Sequence, residues 1–207
     1  MPEPRFDPSK AVTFDLGNGL VHVEGAPSLL LVPGPALAEL CAAAGPEAVA
    51  AFGKAIGDPM GRRLASRFSA GEGDGGGSVG SVGSVGAVGA ASLEAVVDHL
   101  GGEIAIAGLG ALELERWGHA LVLIIDHSPL GAGGDGLIEA VLEAAMEAAT
   151  GKRVRTLALA RDATRARFLV AGNAAVEKAR AWLAGGMSWG EALAKLHSKP
   201  AAARGDA

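Results

Sequence analysis

Three glycines recur every four residues in one stretch of this sequence, at Gly53, Gly57 and Gly61. The apolar residues around them follow helical spacing, so the three glycines share one face of a predicted helix. Each glycine costs an isolated helix about 1 kcal/mol relative to alanine. A row of three therefore indicates that another backbone approaches this face closely. Pro59 lies within the row and predicts a kink or a break near Gly57.

The other segments alternate between strand-like and helical patterns. Two pairs of short alternating runs predict β-hairpins, over residues 11–24 around an Asn-Gly turn and over residues 153–170. Residues 103–108, 111–116 and 119–127 predict three further strands. Helices are predicted over residues 35–68 with a break at 45–46, over 92–100, over 137–149, over 175–183, and from a capping box at Ser188 to about residue 196.

A low-complexity segment separates two of the predicted helices. Residues 71–91 are built of glycine with Ser-Val-Gly repeats, a composition typical of flexible linkers. We therefore expect a mobile insertion here. Residues 1–10 contain three prolines and predict an N-terminal tail, and residues 198–207 predict a C-terminal tail.

Charge is distributed unevenly along the chain, whose net charge is −5. The first 150 residues carry 7 basic and 19 acidic side chains, whereas the remaining residues carry 11 basic and 4 acidic ones. The basic residues are dispersed and do not alternate with aromatic ones, so nucleic acid is not expected as a partner. We expect the two oppositely charged parts to face each other, within one subunit or across a dimer.

The apolar pattern does not predict a membrane span. The longest uninterrupted apolar run, residues 120–125, has the length of a strand, whereas a membrane helix needs about 20 apolar residues. The first residues lack a secretory signal pattern, and the one cysteine, Cys41, cannot form an internal disulfide. These features favour a cytoplasmic location.

Few residues have the spacing of a catalytic, cofactor or metal site. Residues 131–136 fit the letters G-x-G-x-x-G, but they do not follow the preceding strand directly, so a dinucleotide site is not predicted. The five histidines never occur three or four apart on a helix, and no metal site is expected. Cys41 lies on an apolar helix face and is predicted to be a core residue. No catalytic residue and no cofactor are assigned.

Two charged groups remain as candidates for contacts. Glu139, Glu143 and Glu147 form a ladder along one helix, which is typical of a solvated helix face. Five arginines surround the last hairpin, where they could contact an anionic ligand or a partner, or pair with acidic groups elsewhere in the chain. Pairing is favoured for these five: Arg153, Arg155, Arg161, Arg165 and Arg167.

The order of segments, together with particular glycines, resembles the 4-vinyl reductase domain family, which shares the fold of TRAPP-complex subunits. The resemblance covers residues 11–185 except the insertion. It rests on the hairpin and strand up to Pro33, the row from Gly53 to Gly61, the turn Gly108-Leu-Gly110, and the later helices and hairpin. It implies an α+β fold in which an antiparallel sheet packs with helices. It also implies a single domain over residues 11–197, a homodimer, and an apolar pocket between helices and sheet.

One departure from the family bears on function. Many members carry two cysteines in the last hairpin, and the matching positions here are Ala158 and Ala166. The metal or sulfur chemistry that the family implies therefore lacks its ligands in this chain. Small residues would leave room for a hydrophobic ligand in the implied pocket, namely Gly53, Gly57, Gly61, Ala107 and Ala111.

Three functions follow as hypotheses. The first is a non-catalytic scaffold that acts through dimerisation and contacts with a protein partner. The alternative is a sensor domain that binds a small hydrophobic, aromatic or tetrapyrrole-like ligand in the core pocket. The third is a reductase acting on a tetrapyrrole vinyl group, which the family name implies and no residue pattern here supports.

Overall fold

The protein is an α+β domain, as the sequence predicts. The computed structural model describes Asp7 and residues 11–23, 30–70, 93–117 and 120–197. The predicted insertion and both predicted tails, apart from Asp7, lie outside these residues, and the domain bounds stay a prediction. The elements are β1 (Val12–Asp15), β2 (Leu20–Val23), α1 (Gly34–Ala44), α2 (Pro46–Ala70), α3 (Leu93–Ile106), β3 (Ala111–Trp117), β4 (Ala120–Asp126), a 3₁₀ turn (Ala132–Gly134), α4 (Asp135–Thr150), β5 (Arg155–Arg161), β6 (Arg165–Ala171), α5 (Asn173–Ala184) and α6 (Trp189–His197).

Four of these strands form an antiparallel sheet in the order β3-β4-β6-β5. Along β4, the run Val122–Ile125 is fully buried because both faces of the sheet are covered. On one face, Leu123 and Phe168 pack with apolar residues of α2, α3 and α4. On the other face, Val122 and Leu169 pack with α5 and α6. The sheet is thus the middle layer of the domain, and β3 and β5 are its two edges.

The glycine row lies in the contact between α2 and α4. A Cβ atom added at Gly57 would overlap the main-chain oxygen of Val141, and one added at Gly61 would overlap that of Ala145. At Gly53 the overlap would be with the Cβ of Ala140. The close approach that the spacing predicts is therefore present, and any larger residue would push the two helices apart.

Helix α2 continues through Pro59 without a break. Helix α3 is longer than the sequence predicts. Residues 103–108 were expected to form a strand after a helix that ended at Gly101, but α3 runs on to Ile106. Leu100 and Ile104 are fully buried one helical turn apart, so burial of this stripe extends the helix across Gly101 and Gly102. The glycines lower helix propensity by only about 1 kcal/mol each.

The N-terminal hairpin confirms the predicted pairing of two short strands. Val12 pairs with Val23 and Asp15 with Leu20 in an antiparallel register. The Asp15 carboxylate accepts hydrogen bonds from the main chain and side chain of Asn18, which closes the turn. The hairpin forms a separate two-stranded sheet and does not extend the main one.

The predicted capping box at the start of α6 is also present. The Ser188 hydroxyl accepts from the main-chain N–H of Glu191 at 3.3 Å, and the Glu191 carboxylate accepts from the main-chain N–H of Ser188 at 3.0 Å. In the described part of the chain, none of the helices combines the length and apolar character that a bilayer crossing requires.

Replacing Gly57 by alanine is expected to destabilise the protein by about 1–3 kcal/mol, because the new Cβ would overlap the α4 main chain. Gly101→Ala is the matched control, since a Cβ there would lie 3.6 Å from the Leu112 Cβ in ordinary contact. The control is expected to be neutral or to gain up to about 1 kcal/mol from helix propensity. Urea unfolding measures both, and equal stability of the two variants would contradict the tight α2–α4 contact.

Candidate functional site

An open groove lies between α3 and the edge strand β3. Its volume is about 830 Å³. Its walls combine three apolar side chains, four small residues and three charged groups, in that order: Val97, Leu112, Leu114, Gly101, Gly102, Ala105, Ala111, Glu94, Asp98 and Arg116. We call this feature the α3–β3 groove. Apolar walls with a few charged groups at the rim are typical of small-molecule sites.

The amphipathic character of α3 explains why the groove exists. Val96, Leu100 and Ile104 follow one helical stripe and are buried in the core, so they fix the rotation of α3. That rotation directs the neighbouring stripe, about 100° further around the helix, toward the open side beside β3. This stripe includes Val97, Gly101 and Ala105. The small residues of this stripe leave the space that a larger side chain would fill.

The inner side of α3 is tied to α2 by a buried ion pair. Arg63 donates from Nε to both carboxylate oxygens of Glu103, at 3.1 and 3.0 Å, and from Nη2 at 2.5 Å. The two side chains are 15% and 4% exposed. Breaking such a pair leaves an uncompensated buried charge, which costs about 3–5 kcal/mol. The pair therefore holds α3 in place behind the groove.

Next to this pair, the His99 ring meets the Phe68 ring edge-on at a centroid distance of 5.3 Å. Sequence reasoning did not identify Arg63, Glu103 or His99 as functional candidates. A signal was present, because His99 and Glu103 are polar residues on the apolar stripe of a helix. The assignment of residues 103–108 to a strand concealed that helical phase.

The structure places the five predicted pocket residues in different surroundings. Gly53, Gly57 and Gly61 contact α4, so their missing side chains make room for a helix and not for a ligand. Ala107 is exposed in the turn after α3. Ala111 lines the α3–β3 groove. The groove therefore includes only one of these five residues.

Four of the five arginines around the last hairpin form ion pairs, mostly with acidic groups from the first 150 residues. Arg153 is exposed on the loop before β5. The pairs are Arg155 with Glu143 at 3.1 Å, Arg161 with Asp135, Arg165 with Asp126 at 3.0 Å and Glu113 at 3.2 Å, and Arg167 with Asp162 at 3.3 Å and Glu115 at 4.0 Å. The oppositely charged parts of the sequence thus meet within one chain.

The carboxylate ladder on α4 is not a fully solvated face. Glu143 accepts a hydrogen bond from the main-chain N–H of Thr156 at 3.2 Å, and Glu139 accepts from that of Ala158. Both donors belong to the edge strand β5, so α4 occupies N–H groups that a further strand could otherwise use. Burial raises the pKa of the Glu139 carboxyl above its ordinary value. Glu147 is exposed, as the sequence predicts for the whole ladder.

The remaining candidates lie apart from one another. Cys41 is buried on α1 against the core, in agreement with its predicted structural role. Within the described ranges, no three histidine, cysteine or carboxylate side chains converge in a way that could hold a metal ion. The glycines at 131–136 form the 3₁₀ turn and the start of α4, and Gly131 adopts a positive φ of 58°.

Comparison with known proteins establishes the fold alone. No family model and no curated protein sequence matches this chain. Among solved structures, the chain is similar to the phenol-responsive sensory domain of the transcription activator PoxR, solved with phenol. The TM-score is 0.54, the sequence identity is 14%, and the match covers 93% of this chain and 94% of that one. The resemblance to the 4-vinyl reductase domain family stays a prediction.

Replacing Glu139 by glutamine is expected to stabilise the protein more as the pH rises. Burial raises the pKa of Glu139 in the folded chain, so folding favours the protonated carboxyl. The stability that this carboxyl contributes is fully present below its unfolded pKa, where it is protonated in both states. That contribution is lost as the pH rises through the folded pKa and the buried group becomes charged. Glutamine keeps an oxygen that can accept from Ala158 and carries no charge.

The measurement is urea unfolding at a series of pH values from about 4 to 8, a range that starts near the ordinary pKa of glutamate. Glu147→Gln, at an exposed position of the same helix, is the control. The Glu139→Gln variant should gain stability relative to the parent toward neutral pH. A gain that shrinks with rising pH would contradict the burial of this carboxyl.

Proposed function

We propose that this chain is a sensory domain that binds a small, mainly apolar ligand in the α3–β3 groove. The observation that carries the proposal is the groove itself, an apolar-walled space within a fold that is similar over nearly its whole length to a small-molecule sensory domain. The volume of about 830 Å³ falls within the range of roughly 300–1,000 Å³ that is usual for ligand sites.

The walls favour an aromatic or other flat apolar ligand with one polar group. Val97, Leu112 and Leu114 supply apolar contact, and burying apolar ligand surface against them gains about 25 cal/mol per Å². The Arg116 guanidinium stands at the rim, held by Glu94 at 3.1 Å. It can donate a hydrogen bond to a hydroxyl or carboxylate oxygen of the ligand. Phenol has this combination of an apolar ring and one oxygen.

Binding of a ligand in the groove would affect the rest of the domain through α3. The helix contacts the ligand with its outer stripe and is tied to α2 by Arg63 and Glu103 on its inner side. Helix α2 is in turn packed on α4 along the glycine row. If the ligand binds more tightly when α3 is in one of two positions, the population of molecules shifts toward that conformation. The ion pair then transmits the movement of α3 to α2.

A scaffold function through a homodimer is the second candidate, and exposed apolar residues near the N-terminus support it. Among the described residues, eight of the nine large apolar side chains that are exposed precede residue 53. They lie on the hairpin, on the segment before α1, and on α1 and α2: Phe14, Leu16, Leu20, Leu30, Leu31, Val32, Leu40 and Phe52. Large exposed apolar patches are typical of interaction surfaces. This function is compatible with sensing, because a sensor can act as a dimer.

Filling the groove is expected to abolish ligand binding without unfolding the domain. Ala105 is exposed on α3 and lines the groove, so Ala105→Phe places a ring where the ligand would lie. With phenol as the probe, we expect at least tenfold weaker binding by titration calorimetry, with stability unchanged within about 0.5 kcal/mol. Ala194→Phe, at an exposed position of α6, is the matched control. Equal phenol affinity in both variants would contradict the assignment of the groove.

The dimer hypothesis predicts a particle of twice the chain mass of 20.5 kDa. Phe14 and Leu16 are 58% and 88% exposed on the hairpin, and Phe14→Ser with Leu16→Ser is expected to yield a monomer because apolar contact area is lost. Size-exclusion chromatography with light scattering measures the change. Trp117→Ser, which removes the ninth exposed apolar side chain, should leave the dimer intact. A parent protein that is monomeric would rule out this second function.

A further inference from the structure

The two edges of the main sheet differ in how their main-chain groups are occupied. On β5, the N–H groups of Thr156 and Ala158 donate to Glu143 and Glu139 of α4, so this edge is closed to another strand. On β3, within the residues that the structure describes, no side chain hydrogen-bonds the main chain. Alternate residues of an edge strand direct their N–H and C=O groups away from the sheet. The β3 edge therefore keeps outward N–H groups of the kind that are occupied at Thr156 and Ala158 on β5.

The surroundings of β3 suit an added strand. An added strand would lie about 4.8 Å from β3 and would direct every second side chain to the α3 side of the sheet. On that side it would meet the mouth of the α3–β3 groove, where Leu112 and Leu114 face the stripe that includes Gly101. A groove between an edge strand and a helix is a common geometry for binding extended peptides. The side chains directed into this groove would be apolar.

The charges along the same edge favour a basic segment. Glu113 and Glu115 alternate with the two leucines, so they lie on the opposite face of β3, where their side chains are 51% and 36% exposed. Their arginine partners extend from β6 across β4, and the pairs measure 3.2 Å for Arg165 with Glu113 and 4.0 Å for Arg167 with Glu115. Glu94 and Asp98 add two carboxylates at the groove rim, against one guanidinium from Arg116. With the two arginine partners included, four carboxylates stand against three guanidinium groups along this edge.

A second copy of this chain does not suit this edge. Two β3 strands that pair antiparallel about a two-fold axis place residues of the same face opposite each other. A register centred on residues 113–115 therefore brings Glu113 or Glu115 of one chain opposite Glu113 or Glu115 of the other. Like charges directly opposite each other destabilise a strand pair.

We propose that the outer edge of β3 is a docking edge for an extended segment of a partner protein in which apolar and basic residues alternate. The segment adds as a fifth strand, with apolar side chains in the mouth of the groove and basic ones beside Glu113 and Glu115. This docking needs no small ligand, so it can be tested independently of the sensory function.

The test uses the full chain without phenol and a labelled seven-residue peptide in which lysine and valine alternate. Fluorescence anisotropy measures affinity, and NMR hydrogen exchange measures protection of the β3 amides. We expect exchange of alternate amides within Ala111–Trp117 to slow at least tenfold at saturation, because added-strand hydrogen bonds engage every second residue. N-methylation of alternate peptide amides, or glutamate in place of lysine, should weaken binding at least tenfold.

A double variant tests whether the carboxylates beside β3 attract the basic side chains. Glu113→Gln with Glu115→Gln removes the two carboxylates beside which the lysines would lie and should weaken binding of the lysine peptide at least threefold. Glu39→Gln with Glu47→Gln, at exposed positions of α1 and α2, should change it less than twofold. The proposal is overturned by any of three results. These are absence of peptide binding, binding that leaves the β3 amides unprotected or tolerates N-methylation, and β3 protection that rises with protein concentration alone.

Discussion

The close contact between α2 and α4 is the constraint on which the other features of this domain depend. At Gly57 and Gly61 the two helices approach until main-chain atoms of α4 occupy the positions that side chains of α2 would take. The three glycines reduce helix propensity, and the contact offsets that cost by burying the two helices along each other. The pair packs against one face of the sheet, where α3 contacts it through Arg63 and Glu103 and β5 through Glu139 and Glu143.

The two edges of the sheet meet different helices in different ways. Helix α4 lies along β5, and its carboxylates at Glu139 and Glu143 bond the main chain of that strand. At the other edge, α3 is fastened to α2 through Arg63 and Glu103 and turns its small residues toward β3. One edge is therefore sealed by side chains and the other opens into a groove. Both proposals, the small ligand and the docked segment, follow from this asymmetry.

Local sequence patterns predicted the elements that depend on local physics. The Asn-Gly hairpin, the helix after Gly136, the last hairpin and the capping box at Ser188 all depend on residues close in the sequence, and all are present. The glycine row predicted a close backbone contact, although its partner could not be named because contacts between distant helices leave no periodic signal. Helix α3 was predicted too short because glycine propensity was weighed above the burial of Leu100 and Ile104.

The candidate site was less predictable than the fold. Only Ala111 of the predicted pocket residues lines the groove. The ion pair between Arg63 and Glu103 joins residues 40 positions apart, and the roles of Glu139 and Glu143 depend on where β5 passes. Such contacts exist only after the tertiary structure has formed. Pairing of the hairpin arginines was favoured from overall charge balance, a quantity that sequence does contain.

The most direct test of the sensory function is a titration of phenol into isotope-labelled protein, followed by amide chemical shifts. We expect shifts that saturate and that are confined to the walls of the α3–β3 groove, at Val97, Gly101, Ala105, Leu112 and Leu114. Shifts centred on the α2–α4 contact, or an unchanged spectrum with this probe, would contradict it.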